Sequence, residues 1–156
     1  MYLWLKILHV MAVVMFLGNI TTGLFWHAHA AQTRDARILA HTVAGIIRSD
    51  RLFTVPSVLV IIASGVATAM TGGLPILGTG WILWTLILFG ISGVVFMSRV
   101  APLQRRLHEI AESGARTGAL DYPAYRALAV RWELWGALAL LTPFAGLVLM
   151  VLKPAL

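Results

Sequence analysis

The chain has no cysteine and few charged side chains. Among its 156 residues, 6 are Asp or Glu, and only 12% carry charge of either sign. The lack of cysteine excludes disulfides, thiolate-bound zinc, iron–sulfur clusters and thiol catalysis. Low charge excludes a disordered chain, which needs low hydrophobicity and high charge. A soluble domain is excluded as well, because 60% of the residues are hydrophobic and one small core cannot bury so much apolar surface.

The chain contains long apolar segments. A membrane-spanning helix needs about 20 mostly apolar residues to cross roughly 30 Å of hydrocarbon. Four segments meet this requirement: 2–26, 53–71, 81–98 and 132–152. The first is too long for a cleavable signal peptide and lacks a basic start and a small-residue cleavage site. The sequence therefore predicts one domain, 1–156, that is an all-α, polytopic membrane four-helix bundle.

The distribution of basic residues predicts the orientation of this bundle. Ten arginines lie in the connections 27–52 and 99–131, whereas the opposite side has only Lys6 and Lys153. Positive residues accumulate in cytoplasmic loops. Both long connections are therefore predicted to be cytoplasmic and both termini external, in the inner (cytoplasmic) membrane. The net charge of +6 is explained by topology, so no nucleic-acid partner is expected.

The two cytoplasmic connections have helical patterns. In 33–52, Ile38, Ile46 and Ile47 recur near helical spacing between arginines, which predicts a short interfacial helix. In 99–131, LQRRLHEIAESG predicts that the third span extends as a helix and stops at Gly114. Asp121 is then a candidate N-cap, before a helix that runs into the fourth span.

Polar residues within the first span share one helix face. Ionisable groups in the hydrocarbon are costly and are candidates for function. This stripe contains Lys6, His9, Val13, Phe16, Asn19, Gly23 and His27. We expect it to face the bundle interior, with His9 a few residues below the external end. Imidazole is a good ligand for iron, copper and zinc, and apolar haem fits between such helices.

The other spans carry small and polar residues suited to close packing. In the fourth span, Pro143 is predicted to kink the helix and free a carbonyl near mid-membrane. Two alternatives stay open for the external residues. His9 either hydrogen-bonds a neighbouring helix or ligates haem or a metal, and Lys6 and Lys153 either extend to the interface or join the same site.

Four short segments resemble a known family. They are YLWLKILHVMAVV at the start, LFWHAHA at the end of the first span, FTVPSVLVIIASG in the second, and LMVLKP at the close. Together they resemble the HemJ-type protoporphyrinogen IX oxidase family. They are still more similar to a group of uncharacterised bacterial four-span integral membrane proteins with a K-x-x-H start and a K-P end.

The resemblance implies a bundle that binds haem b and oxidises protoporphyrinogen IX. His9 matches the family's first-span haem ligand, Lys153 its terminal lysine, and His27 the histidine closing the first span. The chain lacks the family's arginine before that histidine, and its third span has no Lys and no Tyr-His pair. The resemblance therefore implies haem binding more strongly than enzyme activity.

The expected function is haem b binding with electron transfer or porphyrin-related oxidoreductase chemistry. His9 and Lys153 are the candidate metal ligands, and Lys6 and His27 are the other candidate cofactor-binding residues. Membrane lipid, a quinone or porphyrin, and a second copy of the chain are the expected partners. The main alternative is a non-enzymatic transporter, channel or assembly subunit in which His9 is structural. Copper handling through His9 and nearby methionines is a third hypothesis.

Overall fold

The computed structural model describes residues 1–155, which form helices, short loops and no strand. Its helices are α1 (Tyr2–Thr33), α2 (Ala36–Ser49), α3 (Val55–Thr71), α4 (Gly80–Val95), α5 (Ala101–Thr117) and α6 (Tyr122–Leu152). Four continuous helices are long and apolar enough to span a membrane. The prediction of an all-α four-span bundle is therefore confirmed.

Two π-turns make continuous helices out of α2 with α3 and α4 with α5. Asp50–Thr54 joins the first pair and Phe96–Val100 joins the second. Each turn ends two residues before a proline, Pro56 or Pro102. A proline cannot donate to the carbonyl four residues earlier, and its ring clashes with that carbonyl. The wider turn before each proline lets the chain continue as a helix.

The structure corrects two details of the cytoplasmic connections. The segment after α1 is not a separate interfacial helix, because α2 continues into α3. Its buried face is Leu39, Val43 and Ile46, whereas Ile38 is 44% exposed. The buried face of α2 therefore differs from the predicted apolar face. The reason is that α2 packs against α5 instead of lying on lipid.

The third-span extension is also longer than predicted. It ends at Thr117, and Gly118 closes it with a left-handed backbone, φ +72°. Gly114 lies inside α5, where its missing side chain allows Leu120 to pack closely. The predicted start of the last helix is confirmed, since the Asp121 side chain accepts a hydrogen bond from the Ala124 N–H at 3.1 Å.

The helices form two regions that we name by the predicted topology. The cytoplasmic half comprises α2, α5, residues 20–33 of α1 and residues 122–139 of α6. The external half comprises residues 2–19 of α1, α3, α4 and residues 140–152 of α6. In the external half, α1 packs along α3 and α4 packs along α6, while α3 makes no close backbone contact with α4 or α6. Phe16 and Phe89 connect α1 to α4, with ring centroids 5.5 Å apart.

The carbonyl that Pro143 was predicted to free is confirmed, whereas the predicted kink stays a prediction, since α6 is one helix from Tyr122 to Leu152. Pro143 lacks the N–H that would bond the Ala139 carbonyl, and the Ser92 hydroxyl of α4 donates to that carbonyl at 2.6 Å. A freed carbonyl in hydrocarbon needs such a donor. The Thr85 hydroxyl donates to the Trp81 carbonyl of its own helix at 2.7 Å and also lies 3.3 Å from the Gly146 carbonyl of α6. The small polar residues of the third span thus bind α4 to α6.

Candidate functional site

His9 lies between α1 and α3 in the external half. Its Nδ1 is 3.1 Å from the Ile61 carbonyl oxygen and 3.3 Å from the Ser64 hydroxyl oxygen. The Ser64 hydroxyl donates its own proton to the Val60 carbonyl. Both neighbours of Nδ1 are therefore acceptors, so Nδ1 carries the proton in a neutral ring. The Nε2 atom keeps its lone pair and forms no hydrogen bond with the described residues.

A glycine makes this contact possible. A Cβ atom at Gly65 would lie 3.0 Å from Cε1 and 3.3 Å from Nδ1 of His9, closer than most side chains pack, so the ring would have to shift by a few tenths of an ångström. The imidazole thus lies directly against the backbone of α3. Gly65, Ser64 and the Ile61 carbonyl together fix the ring's position and its protonated nitrogen.

The inward face of the first span is confirmed from His9 onward. Phe16 and His27 are buried, and Asn19 bonds side chains of the neighbouring helix. Lys6 departs from this prediction, because its side chain is exposed. The reason is its place near the end of α1, where fewer neighbouring residues surround the helix.

Lys153 ends α6 with a left-handed backbone, φ 46°, and its side chain is exposed. Its Nζ lies 5.6 Å from the centroid of the Trp81 ring, which is a cation–π contact. Lys153 and His9 form no hydrogen bond with each other: His9 bonds α3, and Lys153 lies at Trp81. The antiparallel register, in which Leu24 faces Gly136, puts Lys153 at about the level of Lys6 and His9. Ligation by Lys153 stays a prediction.

His27 lies at the centre of the cytoplasmic half and is 0% exposed. Its Nε2 is 3.0 Å from the Tyr125 hydroxyl, and its ring lies 4.7 Å from that of Trp132. Its Nδ1 is 3.5 Å from a Glu133 oxygen that also pairs with Arg126 at 2.8 Å. Both ring nitrogens thus face protein groups, which favours a structural role over the cofactor contact that the resemblance implies.

The sequence did not predict a polar cluster around Asp50. Its Oδ1 accepts hydrogen bonds from the Asn19 amide at 3.1 Å and the Thr54 hydroxyl at 2.9 Å. Its Oδ2 accepts from the Gln104 amide at 3.0 Å. Asn19, on the inward stripe, was the one available signal. The cluster ties α1, α5 and the first π-turn together.

A small cavity adjoins this cluster. Its volume is about 20 Å³, and Asp50, Gln104 and Trp132 are among the residues that line it. The Trp132 indole N–H is buried without a hydrogen-bond partner. Such a volume holds about one water molecule, which could accept that N–H. The cavity is far too small for a porphyrin.

The described residues contain no group of three or more His, Asp or Glu side chains placed to hold a metal ion. The arrangement around His9 is of another kind. One imidazole with a fixed, protonated Nδ1 and an unbonded Nε2 can supply a single axial bond to a metal held by a macrocycle.

A family model described as predicted integral membrane protein, DUF2269, matches residues 3–154. The chain belongs to DUF2269. No curated protein and no solved structure matches this DUF2269 chain significantly. The match covers all four long helices and includes Lys6, His9, His27 and Lys153. This DUF2269 member is therefore an integral, multi-pass membrane protein, and the family's description names no activity or cofactor.

Proposed function

We propose that this DUF2269 protein binds haem b in the inner membrane and transfers electrons, and that His9 holds the haem iron. One observation carries the proposal: His9 Nδ1 donates to the Ile61 carbonyl, which leaves Nε2 free. Histidines that bind metals commonly donate their second ring N–H to a carbonyl or carboxylate, which fixes the ring and raises its basicity. The resemblance of the K-x-x-H start to that of the HemJ-type family supports the same residue.

The surroundings of His9 suit an apolar cofactor. The external half consists of two helix pairs, α1 with α3 and α4 with α6, and Phe16 and Phe89 form an aromatic contact between them. Lys6 and Lys153, at about the same level, can supply positive charge to the two carboxylates of the porphyrin. When bound, haem would supply reversible one-electron chemistry, and a membrane quinone or a porphyrin is the proposed redox partner.

The chain's own residues would then hold and tune the cofactor. Ile61 and Ser64 orient the His9 ring, and Gly65 admits it against α3. Hydrogen bonding to Nδ1 makes Nε2 a stronger donor, so His9 would favour the oxidised state of a bound haem. Aliphatic and aromatic side chains of the spans keep water from the site.

A second candidate function rests on the same hydrogen bond. If Nδ1 serves only to tie α1 to α3, the chain is a non-enzymatic membrane protein in which His9 is an interhelical contact. This alternative predicts a helix pair that loosens when His9 is replaced, and no absorption in the visible region.

Absorption spectra distinguish the two. The protein is produced in cells supplied with a haem precursor, purified in detergent, and measured oxidised and reduced. We expect a Soret band and a reduced α-band, both lost in His9→Ala. The matched control is His41→Ala, which removes an exposed histidine of α2. A wild-type protein without a Soret band, or His9→Ala with unchanged haem content, would contradict the proposal.

A further inference from the structure

A basic groove lies between α2 and α5 on the predicted cytoplasmic side. Its volume is about 520 Å³, and Arg48, Arg51 and Arg105 line it together with His108 and Glu109. None of the three arginines forms an ion pair with the described residues. Elsewhere in the protein, Arg126 pairs with Glu133, and Arg34 and Arg99 stack on aromatic rings.

The single acidic residue in the groove compensates only part of this positive charge. Glu109 also lines it without forming an ion pair, and His108 approaches Glu112 at 3.8 Å. Three arginines against one carboxylate make a net positive site that is open to solvent. A mobile anion or an anionic headgroup would gain bidentate hydrogen bonds from guanidinium groups here.

The groove lies at headgroup depth. Arg51 is two residues before the apolar run 53–71 and Arg48 is five residues before it, so both lie within about 8 Å of the hydrocarbon edge. Arg105 is seven residues beyond the apolar run 81–98, about 10 Å along α5. Ile47 adds an apolar wall. Basic pockets between spanning helices on this side of a membrane are suited to acidic lipid headgroups.

We propose that this groove binds the phosphate group of an anionic phospholipid of the cytoplasmic leaflet. Arg48 and Arg51 reach it from one continuous helix and Arg105 from the other, so a bound headgroup bridges the two and fixes the spacing of α2 and α5. Arginines that only orient the chain during insertion would not need to line one groove from two helices. The proposal does not depend on haem binding.

The test compares two variants of equal charge. The groove variant carries Arg48→Gln, Arg51→Gln and Arg105→Gln. The matched control carries Arg37→Gln, Arg106→Gln and Arg131→Gln, which are exposed arginines of the same side, outside the groove and without ion pairs. Each purified protein is titrated with phosphatidylglycerol or phosphatidylcholine and measured by native mass spectrometry and by thermal shift. The same measurements are made with inorganic phosphate.

We expect wild type and control to retain phosphatidylglycerol over phosphatidylcholine. The groove variant should lose about fivefold in affinity for each arginine removed, as for one basic residue at an anionic surface. Equal retention by both variants would overturn the proposal. So would stabilisation of wild type by inorganic phosphate to the same extent as by phosphatidylglycerol. If the groove variant misfolds, Arg105→Gln against Arg106→Gln gives the same comparison with one charge removed.

Discussion

The cytoplasmic and external halves are held together by different forces. The largest fully buried side chains all lie in the cytoplasmic half: Tyr125, Leu39, Leu107, His27 and Val43. In the external half most of the buried residues are small, such as Ala12, Ser57, Ser64, Ser92 and Ala69. Water drives large apolar side chains together around α2 and α5, whereas lipid gives no such drive and helices there rely on close approach and hydrogen bonds.

The difference between the two halves indicates where a ligand can bind. In the cytoplasmic half, His27 Nε2 meets the Tyr125 hydroxyl and Glu133 pairs with Arg126, while His27 Nδ1 and the Trp132 indole N–H are buried without a hydrogen-bond partner. In the external half, His9 Nε2 forms no hydrogen bond with the described residues, and α3 makes no close backbone contact with α4 or α6. A ring held by fixed hydrogen bonds, between helix pairs that are not packed closely against each other, suits the site of an apolar ligand.

The largest effect is expected from Leu107→Ala, in the α2–α5 layer. Leu107 is 0% exposed, and its removal leaves a cavity that should lower the free energy of unfolding by about 2–5 kcal/mol. Leu141→Ala is the control, since Leu141 is 63% exposed on the outer surface of α6 and its loss should cost within about 0.5 kcal/mol. Thermal unfolding in detergent measures both, and equal losses would break the contrast between the halves.

The next effect concerns the hydrogen bond at the centre of the cytoplasmic half. Tyr125→Phe keeps the ring but leaves His27 Nε2 buried without its partner, which should cost about 1–3 kcal/mol. Tyr2→Phe, at an exposed tyrosine near the start of α1, should change nothing measurable. A Tyr125→Phe protein as stable as wild type would show that His27 does not need this hydroxyl.

A smaller effect is expected in the external half, from Ser92→Ala. The variant leaves the Ala139 carbonyl freed by Pro143 without a donor, and interhelical bonds in membranes contribute about 0.6 kcal/mol on average. Ser98→Ala is matched, because that hydroxyl bonds only the Val94 carbonyl of its own helix. A loss for Ser92→Ala as large as that for Leu107→Ala would mean that the external half is as tightly held as the cytoplasmic half.

Gly65→Ala is expected to have the smallest effect on stability. Its main effect should be on the position of the His9 ring. The new methyl group would meet the His9 ring at 3.0 Å and displace it from the Ile61 carbonyl. Haem content should fall and the Soret band should shift, while helix content stays constant. Gly90→Ala adds the same methyl group where no atom lies within 4 Å. Identical spectra for the two variants would show that α3 does not position the His9 ring.

More of the fold than of the candidate site could be predicted from the sequence. The apolar runs determine four spans, the stripe from His9 to His27 identifies an inward face, and Pro143 predicts a freed carbonyl. The π-turns could not be predicted, since each inserts a residue that rotates the helix face beyond it. The pattern of the 27–52 connection therefore gave no indication that Asp50 bonds Asn19 and Gln104 between the helices.

Contacts between residues far apart in the sequence could not be predicted either. His27 and Tyr125 are 98 positions apart, and no local pattern indicates that their rings meet. His9 was identified as a candidate from its place in the first span. Its partner, the Ile61 carbonyl, is a backbone group, so no residue type could have indicated it.

Chemical rescue tests the central claim most directly. His9→Gly removes the imidazole and leaves space for an added one beside Ile61, Ser64 and Gly65. The account predicts that purified His9→Gly binds no low-spin haem, and that free imidazole restores the wild-type Soret position and reduced α-band. Haem bound normally by His9→Gly without imidazole, or a wild-type protein that takes up no haem, would contradict it.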